Sequence, residues 1–339
     1  MRVFLLGSML LLTASGARAA DFDPILVGAA KKEGSAVWYT GLIVNQISRP
    51  MAEAFEARFP GIKVQYSRAS NTDTTVKLLN ESRARRVQAD VVDVTSGIHA
   101  LTDAKLLVPY KAQAVAHYPD VLKDKDGFWT ASNLYFVTVA YNTNLVKDPP
   151  RTFADLLDPQ WKGRMAWTSE LAVQGAPGFI ENVLTLMGED NGMAYLKQVA
   201  AQTPVSVAAS PRAVLDQVIS GEYALGLMMY NHHIAISAGQ GAPVKAAPIQ
   251  PLVALFSMIG LLKDAPHPNA GRLLLEYILS DEGQRVMAIN DYLPAHPDIP
   301  ARIAELKPDA GHFAVNYISP DMTKEGLTKW IGIYREVFR

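Results

Sequence analysis

Apolar positions along this chain switch between two periods, and the switches mark out its elements. Residues 36–40, 62–66 and 90–94 are short runs dominated by apolar and β-branched side chains, the pattern of strands buried in a sheet. Between them the spacing turns helical. Met51, Phe55 and Phe59 fall at i, i+4 and i+8 on one face of 50–59, and Pro60-Gly61 stops that helix. Val76 and Leu79 mark the next one, which follows the capping run Ser70-Asn71-Thr72-Asp73. A short helix over 24–32 precedes the first strand, and another after Thr95-Ser96-Gly97 runs to Leu107. Strand and helix alternating at this spacing predict a parallel sheet with helices on both faces. Sheets of that kind take ligands outside the carboxyl ends of their strands.

The stretch 134–167 breaks the rhythm. A strand-like run over 135–141 meets two stops, Asn142-Thr143-Asn144 and Asp148-Pro149-Pro150. A short helix capped by Thr152, with Asp155 three positions on, follows, and a new strand begins near Arg164. The pattern reads as a chain leaving one lobe and founding another. Strands at 165–167, 205–208 and 223–229 then alternate with helices at 178–186, 192–202 and from Ser210-Pro211 to Gly221. Residues 248–259 are extended and mostly apolar, a return crossing. Helices follow over 268–279, after Ser280 and over 323–338. The expected division is a first lobe over 21–136, a second over 137–255, and a return crossing, the rest of the first lobe and a terminal helix over 256–339.

Composition sharpens this. A chain of 339 residues with 49% apolar content is too long for one core. A formal charge of −1 argues against nucleic acid or an anionic membrane surface as partner. Residues 1–20 read as an export leader: Arg2, an apolar run over 3–12, and the small-x-small pattern Ala17-Arg18-Ala19. The absence of cysteine removes disulfides, thiolate metal sites and lipid attachment at a mature cysteine. A soluble, unlipidated periplasmic protein is expected.

Candidate chemistry gathers at the strand ends. The first lobe offers Thr40, Gly41, Arg68, Ser70, Asn71, Thr95 and Ser96; the second offers Ser169, Glu170, Ser210, Arg212, Tyr230, Asn231 and His232. Ser70, Ser96, Ser169 and Ser210 each precede a predicted helix, where free N–H groups attract oxyanions. The plainer reading is that each serine caps its own helix, worth about 1 kcal/mol. Arg68 and Arg212 carry forks suited to carboxylate or phosphate, set against the plainer reading of a solvated charge. Neighbouring His232 and His233 point about 100° apart on a helix, so at most one faces a ligand. Glu170 could accept from an ammonium group. The tryptophans 38, 129, 161 and 167 read as packing, and no aromatic cluster suggests a quaternary-amine cage. No G-x-S-x-G, H-E-x-x-H or G-x-x-x-x-G-K-[ST] occurs, so an enzyme is not expected.

Several stretches resemble the extracellular solute-binding proteins, in the branch containing the periplasmic ferric-iron-binding components of ABC importers. They are KKEGSAVWYTG (31–41), FEARFPGIKVQYSR (55–68), ADVVDVTS (89–96), AYNTNLV (140–146), FADLLDPQWKGRMAW (153–167), SPRAVLDQVISGEYALGL (210–227) and HPNAGRLLLEYILSDEGQ (267–284). The resemblance implies a two-lobed type II periplasmic-binding fold, two hinge crossings, and a small solute held between lobes for an ABC permease; a monomer is expected. Iron-binding members carry adjacent tyrosines where this chain reads Tyr230-Asn231-His232-His233. Ferric iron favours anionic oxygen donors, and neutral imidazole is a poor substitute. A small oxyanion or organic acid is therefore the expected cargo, with no cofactor. The alternatives are ferric iron on Tyr230 and His232, presentation of a solute to a sensor kinase, and a periplasmic hydrolase.

Overall fold

A computed structural model describes residues 22–303, 306–307 and 314–338. The expected leader, 1–20, lies outside them. The strands in chain order are β1 (Ser35–Thr40), β2 (Lys63–Arg68), β3 (Val91–Val94), β4 (Leu107–Val108), β5 (Thr130–Asn142) and β6 (Met165–Thr168). They continue as β7 (Val205–Val207), β8 (Leu225–Tyr230), β9 (Val244–Ala246), β10 (Leu252–Leu262), β11 (Leu293–Pro294) and β12 (Val315–Tyr317). The main path through the sheet is β2-β1-β3-β10-β5-β8-β6-β7.

The two outer thirds of that path obey the βαβ expectation. β2, β1 and β3 run parallel on one side, and β8, β6 and β7 run parallel on the other. The middle does not. β5 and β10 are long strands that pair with each other antiparallel, and each is antiparallel to its outer neighbour, β8 and β3. One mixed sheet therefore runs through the molecule, and the chain crosses its middle twice. The first half of β5 packs Leu134 and Phe136 into one core, and its second half sends Val137 and Val139 into another. The crossing thus happens inside a strand, before either stop, at Asn142 or Asp148, begins to act. β-Branched and aromatic residues sustain β5 through both environments, because each half is covered by apolar neighbours.

The caps follow the sequence. Asp23 Oδ1 accepts from Ile25 N to start the helix Pro24–Glu33, and Gly34 closes it at φ 71°. The helix Arg49–Arg58 is entered through one π turn, Val44–Ser48. Two anchors, half-buried Glu33 and fully buried Asp90, stitch the first lobe. Glu33 accepts from the backbone of Asn269 and Ala270, and Asp90 accepts from Val37 N and His267 N.

The terminal helix Pro320–Val337 belongs to the second core, where Trp330, Ile333 and Tyr334 are buried and Tyr334 hydrogen-bonds Ser206. Its first turns reach the first lobe. Lys324 Nζ lies 2.9 Å from Asp103 Oδ2, and Asp321 lies 3.3 Å from His99 Nε2.

Candidate functional site

Because β1, β2 and β3 run parallel, their carboxyl ends fall on one edge of the first lobe. Thr40 ends β1, fully buried, and its Oγ1 accepts from Leu42 N at 3.1 Å to turn the chain. Gly41 follows with its N–H on Asp93 O. Arg68 ends β2, exposed, and its Nε donates to Gly41 O at 3.2 Å. Asn71 Oδ1 accepts from Thr95 N at 3.0 Å, tying the loop after β2 to the loop after β3. A Cβ on Gly41 would stand 3.4 Å from that same Oδ1, so this corner is closely packed. Ser96, next along, is exposed.

Ser70 caps the helix Asn71–Arg83: its Oγ accepts from Asp73 N at 3.1 Å and donates to Asp73 Oδ2 at 2.7 Å. Ser210 caps Pro211–Ser220 through Ala213 N. Arg212 turns away to its own helix and the next, with Nη2 2.7 Å from Asp216 Oδ1 and Nη1 3.0 Å from Ser237 Oγ. Ser169, half-buried, donates its N–H to Val207 O, and exposed Glu170 accepts from Gln174 Nε2 at 3.0 Å.

The concentration of unspent chemistry is on the middle strands, which the sequence reading passed over. Tyr135 of β5 puts its ring 5.7 Å from Tyr230 at the end of β8, 6.4 Å from Tyr292 and 5.9 Å from His232. Three tyrosines therefore meet where the lobes join, an aromatic cluster that sequence spacing did not suggest, since positions 135, 230 and 292 meet only in the fold. Burial pushes all three phenols up from their ordinary range. The Glu170 carboxylate raises Tyr230 a little further and the Arg68 guanidinium pulls Tyr292 back, so both charges are felt at this cluster. Tyr292 also accepts from Ile43 N at 3.1 Å.

His232 and His233 do not diverge as helix geometry suggested. They lie in the first turn of Asn231–Gly239, and their rings stand 4.2 Å apart, each against Tyr230. At a helix start the side chains can both swing toward the preceding strand. Burial lowers His232 to about 3, helped by its neighbour, and burial with Arg212 lowers His233 to about 4. Both are neutral near pH 7, and His232 Nδ1 is buried without a partner. Asn231 is buried beside them.

Below the tyrosines lies a polar layer. Ser257 of β10 places its Oγ 3.2 Å from Thr95 Oγ1 and 3.3 Å from the Tyr135 hydroxyl. Asp93 of β3 accepts from Ser132 Oγ at 3.0 Å. One acidic residue inside the apolar run 91–94 was the signal that could have found this layer. Beside it, a cavity of about 270 Å³ opens between the loop 95–99, β10 and the terminal helix. Of the sequence-predicted residues, only Thr95 and Ser96 line it. Arg68, Tyr230 and His232 lie outside it.

A family described as bacterial extracellular solute-binding protein matches residues 94–312. A protein from Salmonella paratyphi A named as a putative 2-aminoethylphosphonate-binding periplasmic protein is 25% identical over 254 residues, 70% of this chain and 71% of its own length. The Fe(3+)-binding periplasmic protein of Serratia marcescens is 22% identical over 296 residues, 85% of this chain and 82% of that one. The crystal structure of iron-bound HitA from Pseudomonas aeruginosa superposes with a TM-score of 0.70 at 21% identity, covering 89% of this chain and 99% of that one. The fold is that of a type II periplasmic binding protein.

Proposed function

This chain belongs to the bacterial extracellular solute-binding proteins, and on that footing we propose that it captures a small solute bearing an oxyanion, a phosphonate or a carboxylate, between its lobes and hands it to an ABC permease. The observation that carries this reading is Arg68. Among the described residues its guanidinium makes one hydrogen bond, from Nε, which leaves the paired Nη groups for a ligand beside the tyrosine cluster. Neutral His232 and His233, with the N–H groups at the start of their helix, add donors from the second lobe. The Salmonella relative, named for a phosphonate, supports the same chemistry.

Capture works through the hinge. β5 and β10 are continuous across both lobes, so bending them moves Arg68 and the second-lobe residues together or apart. A solute shifts that balance only by binding the closed form better, which requires contacts from both lobes. Arg68 on one side and the His232 turn on the other provide them. Isothermal calorimetry with alkylphosphonates and small carboxylates tests the reading. One-to-one binding is expected, and no heat from any of them would overturn it.

Ferric iron as cargo is a second reading, favoured by the three tyrosines. Burial raises all three phenols, so a ferric ion would have to displace their protons as it binds. Titration with ferric citrate would reveal iron by a visible phenolate-to-metal absorption, lost in Tyr230→Phe.

A further inference from the structure

The hollow of about 270 Å³ has no part in the oxyanion reading. Its walls come from both lobes. Phe256 and Met258 belong to the first core, Val173, Leu255 and Ile318 to the second, and all five are buried. Folded interiors keep few voids larger than a water molecule, so a hollow of this size between two packed cores calls for an occupant. An apolar cavity of about 150 Å³ already takes up benzene.

The polar groups of the lining are largely spent. Thr95 Oγ1 pairs with Ser257 Oγ at 3.2 Å, and Thr323 Oγ1 donates to Ser319 O at 3.0 Å. Lys324 Nζ donates to both oxygens of Asp103, and His99 Nε2, without a hydrogen bond of its own, has Asp321 Oδ1 3.3 Å away. Ser96, Lys324 and Thr328 are exposed, so the polar part of the lining meets solvent and the apolar part lies inside.

The position of the hollow joins it to the cleft. Thr95 follows β3 and Val173 follows β6, so each lobe brings a wall from the carboxyl end of a parallel strand, where such sheets take ligands. Thr95 is common to the hollow and the tyrosine cluster: its hydroxyl meets Ser257, and Ser257 meets the Tyr135 hydroxyl at 3.3 Å. Its N–H is held by Asn71, in the loop that Arg68 opens.

We propose that this hollow is a side chamber of the cleft, a subsite for an apolar group of the solute, either a ring or a branched alkyl chain. The cargo is then an organic oxyanion with an apolar substituent, its charged end on Arg68 and its apolar end against Phe256 and Met258. This rests on the oxyanion reading and adds the other half of the molecule. An apolar group that touches both cores gains contacts that neither lobe supplies alone, so it helps to drive closure.

Calorimetry with methyl-, benzyl- and 2-phenylethylphosphonate tests this. Burying a ring predicts that the wild-type protein binds the better of the two aryl compounds about ten- to a hundredfold tighter than methylphosphonate. Leu327→Trp fills the chamber from the terminal helix and should cut that preference to about twofold, with methylphosphonate binding kept. Thr323→Trp, one turn earlier on the same wall, gives the same loss and covers the case that Leu327→Trp does not fold. Equal wild-type affinities for all three compounds overturn the chamber and leave the oxyanion reading standing. A ring preference that survives in either folded variant puts the ring elsewhere and overturns the chamber too. Binding of none of the three takes down both readings.

Discussion

Ser70 and Ser257 are the same side chain in opposite situations. Ser70, at the rim, exchanges two hydrogen bonds with Asp73, three residues away, and its capacity is spent inside one helical turn. Ser257, on the floor, is met by Thr95 from the end of β3 and Tyr135 from β5, 162 and 122 positions distant. The difference separates a residue that builds its own helix from one that exists to join strands. It extends to the arginines. Arg212 is tied to Asp216 and Ser237, whereas Arg68 keeps its fork open. On the proposed reading, recognition chemistry is concentrated where the long strands meet, with Arg68 as the rim's main contribution.

The comparison breaks most easily at Arg68. Arg68→Ala should weaken phosphonate binding about ten- to a hundredfold, the worth of a charged hydrogen-bonded pair, as read by calorimetry; Arg212→Ala should move the same affinity by no more than about twofold. An equal loss in both variants would erase the distinction between a spent and an open fork.

A pH series sharpens the floor. Burial lifts the Asp93 carboxyl from 3.8 to about 7. Between those values the folded protein holds a proton that the unfolded chain has released, so this group's contribution to stability declines as pH rises through the window. Asp93→Asn removes the decline, and its melting temperature relative to wild type should climb from pH 5 to pH 8. His232 and His233 act in the other direction. Their lowered values mean stability falls as pH drops below 6.5, toward about 4 and 3, but this happens in both proteins and cancels in the difference. A difference that stays flat with pH would mean that Asp93 is not the titrating group.

The smallest effects belong to the rim. Ser70→Ala and Ser210→Ala should each cost about 1 kcal/mol of stability, the value of a helix cap, while solute affinity stays within about twofold. Affinity losses as large as that of Arg68→Ala would return the serines to the ligand.

What could be read ahead of the structure follows the same divide. Ser70, Ser210 and Ser280 announce their helices because a cap is a local arrangement, and all three cap as their neighbours require. The parallel outer strands were legible from period and spacing. The antiparallel middle was not, because the pairing of Tyr135 with Leu255 joins residues that no local rule connects. For the same reason Tyr135 was legible only as part of a strand and Tyr292 not at all, and Asp93 vanished into an apolar run. The histidines show the opposite limit. Their spacing was plain, but rotamers in the first turn brought together rings that ideal helix geometry sets apart.

The central claim is a clamp whose two halves close on one small solute. Small-angle X-ray scattering on the protein saturated with benzylphosphonate tests it most directly. The radius of gyration should fall on saturation in the wild type and stay constant in Arg68→Ala at the same solute concentration. Calorimetric binding with an unchanged scattering curve would contradict the account.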